Sequence, residues 1–272
     1  MEEPAQGGKG RRKSWKWGVY LALGLLALGW LLNTPPGLLG KADAVGYAVC
    51  HRIDLRSFHL GDRQLPLCAR CTGMFLVSLG ALVYMGIVRP RRAGYPHWSI
   101  MVGCALLVAA FAIDGVNSFF QLIPGAPSIY EPQNWLRLLT GTGMGLVIAI
   151  VLYPSFNQTV WLKPDPRPAL DNWKVLGGVA VLCLTMDILI LSENPLVLYP
   201  LAIASAVGVL VLLMMVYTIV LLLVFRRENR AEHFSQLLVP MAGGLILALV
   251  QISLLDYGRF ILTGTWEGFK LG

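Results

Sequence analysis

The chain is expected to fold as an all-α, polytopic helical membrane protein of about seven transmembrane helices, with a partly re-entrant outer segment between helices 1 and 2. Three observations predict this. Of its 272 residues, 56% are hydrophobic and only 14% charged, against about 25% charged in soluble domains, and the mean hydropathy is +0.64. Crossing a bilayer core takes roughly 20 apolar residues, and seven runs of that kind are visible. The runs are continuously apolar, without the short alternating segments that a β-barrel requires.

In chain order the candidates are 18–34, 68–88, 98–120, 134–153, 172–192, 199–225 and 235–257. Residues 1–17 form a basic tail, and 18–272 read as a single transmembrane helical domain. The first run needs a closer look. Its basic flank, its apolar core at 18–32 and Ala42-Asp43-Ala44 have the outline of a cleavable signal peptide. Pro35-Pro36-Gly37 and the distance from the core to Ala44 favour a retained anchor.

Orientation follows from the Lys and Arg residues. They collect in the tail (Lys9, Arg11, Arg12, Lys13, Lys16) and after the second run (Arg89, Arg91, Arg92). Two more groups lie between the fourth and fifth runs (Lys163, Arg167, Lys174) and after the sixth (Arg226, Arg227, Arg230). If all seven runs cross, the four groups share one side, which the positive-inside bias makes cytoplasmic. Residues 121–133 and 193–198 contain no Lys or Arg. The expectation is a multi-pass cell-membrane protein with its N-terminus cytoplasmic and its C-terminus exoplasmic. The net charge of +7 then reflects topology and attraction to anionic lipids. No basic patch interleaved with aromatics points to nucleic acid. Membrane lipids are the expected partners, with an anionic amphiphile among the candidates, and protein partners are left open.

Residues 33–67 would face outward, yet they carry Lys41, Arg52, Arg56 and Arg63, with Arg70 just inside the next run. Asp43, Asp54 and Asp62 offset these only in part. Arginines kept against the charge rule point to a bound anion or to fixed ion pairs; a solvated loop with surface pairs is the plainer alternative. The apolar stretches 45–49 and 65–67 suggest that the segment lines a cavity rather than floating in solvent.

The same segment holds most of the thiols. Cys68 and Cys71 fall at the first turn of the second run, with Pro66 ahead as a helix-start residue. Positions i and i+3 share a helix face, and the helix N-terminus with Arg70 favours thiolate. Two chemistries suit such a pair. One is tetrahedral zinc, with Cys50 and either His51 or His59 completing the ligands Cys50, His51, Cys68 and Cys71. The other is a redox dithiol with Cys50 as a third, exchanging thiol. A plain disulfide is also open in an exoplasmic compartment. Cys104 and Cys183 lie within apolar runs and read as packing residues.

Polar residues inside the runs converge on the outer side. Asp114, Asn117 and Gln121 share one helical face, and Asn134, Arg137 and Thr140 share another. Asp187, Glu193, Asp256 and Arg259 fall at the same depth. Asp114 with Arg137 is the expected buried pair, and Asp256 with Arg259 a local one. Asp187 has no obvious partner and is a candidate proton carrier. The candidate catalytic residues are therefore Asp114, Arg137 and Asp187, and the candidate binding residues Arg52, Arg56, Arg63, Arg70, Asn117 and Asn134. Gly141, Gly143 and Gly145 read as a close-packing face rather than a phosphate loop, since no Walker lysine follows and no strand precedes.

Cys50-His51-Arg52-Ile53, the run Arg-Gln-Leu-Pro-Leu-Cys-Ala-Arg-Cys-Thr-Gly at 63–73, Asp114-Gly115 and Asn134-x-Leu-Arg137-Leu-x-Thr140-Gly141 resemble a prokaryotic integral-membrane family. It is known only as domain of unknown function 2085. The likeness spans roughly 45–150, and its CHR…PLCARCTG element is highly specific. Where such relatives often carry Asp-Gly-x-x-Gln, this chain has Asp114-Gly-Val-Asn-Ser, with glutamine displaced to Gln121. The resemblance implies membrane location and a shared polar site, with no established activity. Two function classes stay open on the sequence: metal-supported binding or processing of an anionic, lipid-like amphiphile, and thiol-redox or metal handling. An accessory subunit of a membrane complex is a third. No nucleotide, haem or flavin motif is present.

Overall fold

The computed structural model describes residues 7–123, 125 and 127–268, with side chains from Trp15 onward. The tail residues 1–6 and the side chains of Lys9, Arg11, Arg12 and Lys13 lie outside the described residues. Among the described residues, eight α-helices carry the fold: α1 (Gly7–Asn33), α2 (Gly37–Val49), α3 (Ala69–Val88), α4 (Trp98–Phe120), α5 (Asn134–Val160), α6 (Trp173–Leu191), α7 (Pro195–Val224) and α8 (Leu238–Thr263). All but α2 contain a segment long and apolar enough to cross a membrane, and in α1 that segment is Trp15–Asn33. The seven expected runs are all present. The fourth is longer than its apolar stretch suggests, because polar Ser155, Asn157 and Gln158 continue the helix to Val160.

Helix α3 is the hub, packing on α5 most extensively and also on α7 and α6. Small residues allow the approach. A Cβ on Gly145 would stand 3.0 Å from the Met74 Cα, and one on Gly208 of α7 would stand 3.0 Å from the Phe75 carbonyl carbon. Ser78 donates to the Gly145 carbonyl across the same interface at 2.9 Å, so close backbone contact is joined to an interhelical hydrogen bond.

The segment between α1 and α3 is structured. Helix α2 follows Pro35-Pro36; at 13 residues it is about 20 Å long, too short to span, and it folds back against α7 and α8. Ala44 and Tyr47 are completely buried there, so the residues Ala42-Asp43-Ala44 sit inside a packed helix. A 3₁₀ turn (Asp54–Arg56) and a two-residue hairpin, β1 (His59–Leu60) with β2 (Arg63–Gln64), complete the segment. Gly61, at φ +63°, supplies the left-handed turn residue.

At the opposite end, β3 (Arg92–Gly94) lies parallel to β4 (Asp165–Pro168). Arg92 bridges Asp165 at 3.3 Å and Asp171 at 2.8 Å, Arg89 reaches Asp171 at 3.1 Å, and Arg91 lies over the Trp161 ring at 4.2 Å. The Arg167 guanidinium holds the Asp165 carboxyl down at about 2. Part of the basic charge on this side thus ties two loops together.

Candidate functional site

Cys50 ends α2, with its N–H bonded to the Gly46 carbonyl at 2.8 Å. Cys68 is the residue before the first turn of α3, and Cys71 lies in that turn. The two helix ends meet because Gly46 has no side chain: a Cβ there would collide with the Pro66 carbonyl. As a result the sulfurs of Cys50, Cys68 and Cys71 all lie within 4.8 Å of one another. Sulfurs of a tetrahedral zinc at Zn–S of about 2.3 Å are about 3.8 Å apart, so the three fit a metal with small adjustment. The Cys68 N–H also donates to the Cys50 sulfur at 3.3 Å, as expected of the exposed amides at a helix start.

The three thiols shift one another's ionisation. Hydrogen bonds from the Cys68 and Cys71 thiols pull the Cys50 thiol well below its ordinary value. The same exchange with Cys50 pushes Cys68 up to about 12. Cys104 and Cys183 are buried in apolar packing away from this group.

His51 does not join the sulfurs, which corrects the expected Cys50, His51, Cys68 and Cys71 ligand set. Cys50 is in extended backbone, and successive side chains of an extended chain point to opposite sides. The His51 Nδ1 instead accepts the Ile53 N–H at 3.0 Å. His59 pairs with Asp54 at 2.9 Å. Among the described residues, the group that can hold a metal is the three cysteines.

The arginines sort into two groups. Asp114, buried on α4, accepts from Arg70 Nε at 3.0 Å, Tyr130 at 2.8 Å and Thr140 at 3.2 Å. Its partner is therefore Arg70 and not the expected Arg137. Ser118, one turn further on α4, accepts Arg70 at its hydroxyl (3.0 Å) and Arg56 at its carbonyl (2.8 Å). Arg137 donates to Asn134 at 2.9 Å, and Asn134 in turn donates to the Ser57 carbonyl at 3.2 Å. Asn117 holds the 128–130 loop by accepting from Ile129 N–H at 2.7 Å and donating to the Tyr130 carbonyl at 2.9 Å. Arg52 and Arg63 form the second group, both on Asp43.

Charge in the first group is poorly balanced. Among the described residues no carboxylate ion-pairs with Arg56 or Arg137, and the Arg137 Nε is buried without a hydrogen-bond partner. Arg56 has its charge opposed by burial and then by Arg70. Burial lowers the His51 imidazole below its usual range, with Arg56, Arg70 and Arg137 acting the same way. Burial and then the Asp114 hydrogen bond push Tyr130 up to about 12.

Asp187 stands apart from the arginines; its hydrogen-bond partner is the Thr142 hydroxyl at 2.6 Å. Two participants were missed in the sequence. Tyr130 carries no pattern that marks it, whereas Ser118 stands in Asp114-Gly-Val-Asn-Ser where relatives often carry glutamine, a signal not followed. Arg259 was visible, but its target was not: it donates to the carbonyls of Tyr47 (2.7 Å), Cys50 (2.6 Å) and His51 (3.2 Å).

Residues 50–151 match the family described as predicted membrane protein (DUF2085), as the sequence resemblance led us to expect. An uncharacterized protein of Methanocaldococcus jannaschii is 28% identical over 122 residues, 44% of this chain and 71% of the relative. An uncharacterized protein of Methanothermobacter thermautotrophicus is 29% identical over 103 residues, 38% of this chain and 83% of the relative. No solved structure matches. The matched stretch runs from Cys50 into α5 and includes the three cysteines and Arg56, Arg70, Asp114 and Arg137, while α6–α8 lie beyond it.

Proposed function

We propose that this chain, similar over residues 50–151 to the DUF2085 membrane family, binds or processes an anionic lipid-like amphiphile at the outer leaflet, supported by a metal on its cysteines. The observation that carries the reading is the neighbourhood of two things costly to bury. Three thiols converge within 4.8 Å, and beside them Arg56 and Arg137 have no carboxylate partner among the described residues. Arg137 is buried and Arg56 half-buried, and a desolvated guanidinium without counter-charge is disfavoured unless a ligand supplies it.

In this reading Arg56, Arg70 and Arg137 take the head group, and Asp114 holds Arg70 in place with Tyr130 and Thr140. Cys50, Cys68 and Cys71 would hold zinc, which would supply Lewis acidity. Arg52 and Arg63, both bound to Asp43, brace the segment. Asn117 and Asn134 anchor the neighbouring loops. Asp187 serves as a separate protonatable group on α6. The proposed orientation puts this end of the bundle outside the cell and the N-terminus in the cytoplasm.

The test is elemental mass spectrometry of detergent-purified protein beside a Cys68→Ser/Cys71→Ser variant. Near-stoichiometric zinc in the wild type that disappears in the variant is the expected result. Metal-free protein with a Cys68–Cys71 disulfide would overturn the metal role. That outcome would favour thiol exchange, which the lowered Cys50 thiol also suits.

A further inference from the structure

The arginine group is more selective than anion binding alone requires. Arg70 is neutralised by Asp114 and has a place in the fold. Arg56 and Arg137 are different. Arg56 is held by a single carbonyl, that of Ser118, and Arg137 by a single amide oxygen, that of Asn134. Arg137 is 5% exposed, and its Nε has no partner among the described residues. Arg56 and Arg70 meet at Ser118, and Arg137 is tied through Asn134 to Ser57, the residue after Arg56, so the three lie at one place.

From this we propose that the site takes a phosphomonoester dianion: a terminal phosphate with three free oxygens, in preference to a phosphodiester. The inference rests on the anionic-amphiphile reading and narrows its substrate class. A diester brings one charge and two free oxygens, too little to match both half-buried Arg56 and buried Arg137, neither of which has a carboxylate partner among the described residues. A monoester brings close to two charges above its second ionisation, at about pH 6, and one oxygen for each of Arg56, Arg70 and Arg137. Guanidinium forks suit such oxygens in pairs. The other charged or titratable groups at this end are already engaged. Asp114 is occupied by Arg70, the three thiols face one another, and the His51 Nδ1 accepts the Ile53 N–H.

Native mass spectrometry of the full chain from neutral phosphatidylcholine nanodiscs tests this, with phosphatidic acid or phosphatidylglycerol added in turn and inorganic phosphate in a third arm. Phosphatidic acid should be retained at least about tenfold better than phosphatidylglycerol. The preference should fall as pH drops from about 8 to about 5 and the second charge is lost. Arg56→Gln and Arg137→Gln should each erase the preference, while Arg167→Gln, exposed at the opposite end of the bundle, should keep it. Because the lipid comparison is made on the wild-type protein, it stands even where a variant fails to fold. Equal retention of the two lipids overturns the monoester inference and leaves the anion reading intact. Retention of neither, with no phosphate binding, overturns both. Binding of inorganic phosphate that phosphatidic acid does not displace supports the dianion and assigns it to a soluble source.

Discussion

Arg259, on the last span, donates to the carbonyl oxygen of Cys50 at 2.6 Å. The same guanidinium reaches the Tyr47 and His51 carbonyls and lies over the Tyr47 ring at 4.0 Å. Carbonyls at a helix end lack partners within the helix, and a cation there is favoured by the helix dipole. The C-terminal residues add to the clamp: Tyr47 donates to the Thr265 carbonyl at 2.7 Å, and Trp266 packs on Tyr47 with ring centroids 5.1 Å apart.

Arg259→Gln should therefore loosen Cys50 without touching any sulfur. Hydrogen bonds to a charged donor contribute about 1.5–3 kcal/mol each, so a loss of about 2 kcal/mol in thermal stability is expected, together with faster loss of metal to a chelator. Arg259→Lys should recover part of both. Metal retention identical to wild type would show that the clamp holds α2 but not the cysteine.

The Arg70–Asp114 pair should behave as a unit. Removing one partner of a buried pair leaves an uncompensated charge and costs about 3–5 kcal/mol. Asp114→Asn is expected to lower the unfolding temperature sharply, and Asp114→Asn with Arg70→Gln should lower it less than the sum of the two single changes. A double-mutant cycle on detergent-purified protein measures this, and simple additivity would contradict the pairing.

The seven spans and the shared face of Cys68 and Cys71 were legible because they depend on length and on period along one helix. The partner of Asp114 was not. Periodicity says that Arg137 and Thr140 share a face, but which face meets α4 is decided by how closely α3 and α5 approach, and Arg70 arrives first. His51 was misread for a local reason: the backbone at Cys50 is extended rather than helical. Arg259 was misread for a distant one, since its carbonyl partners lie more than 200 residues away.

Close approach of α3 and α5 makes Gly141 sensitive. A Cβ there would meet the Arg70 carbonyl oxygen directly and stand 2.9 Å from its carbon. That neighbour is backbone and cannot rotate away. Gly141→Ala should cost about 1–3 kcal/mol as overpacking and should weaken anion binding by displacing Arg70. Gly103 on α4, with nothing within 4 Å of its would-be Cβ, is the control. Gly103→Ala should be neutral or slightly stabilising. Thermal unfolding of the two variants side by side decides the matter, and equal melting would refute the close contact.

The thiols should respond to pH in opposite senses in metal-free protein. An ordinary thiol ionises at about 8.5. Cys50 is lowered in the fold by its thiol neighbours, so its ionised form adds stability that is present above that ordinary value and is lost as pH falls through the folded one. Cys68, pushed up to about 12, adds stability below the ordinary value that is lost as pH rises towards about 12. Since the thiolate is the nucleophile, a small alkylating reagent at neutral pH should modify Cys50 first, and Cys68 only in strong base. Mass spectrometry of peptides labelled across a pH series reads this directly. Equal labelling of Cys50 and Cys68 at neutral pH would mean that the charge is not held on Cys50, and the three sulfurs would then be independent thiols rather than one anionic cluster.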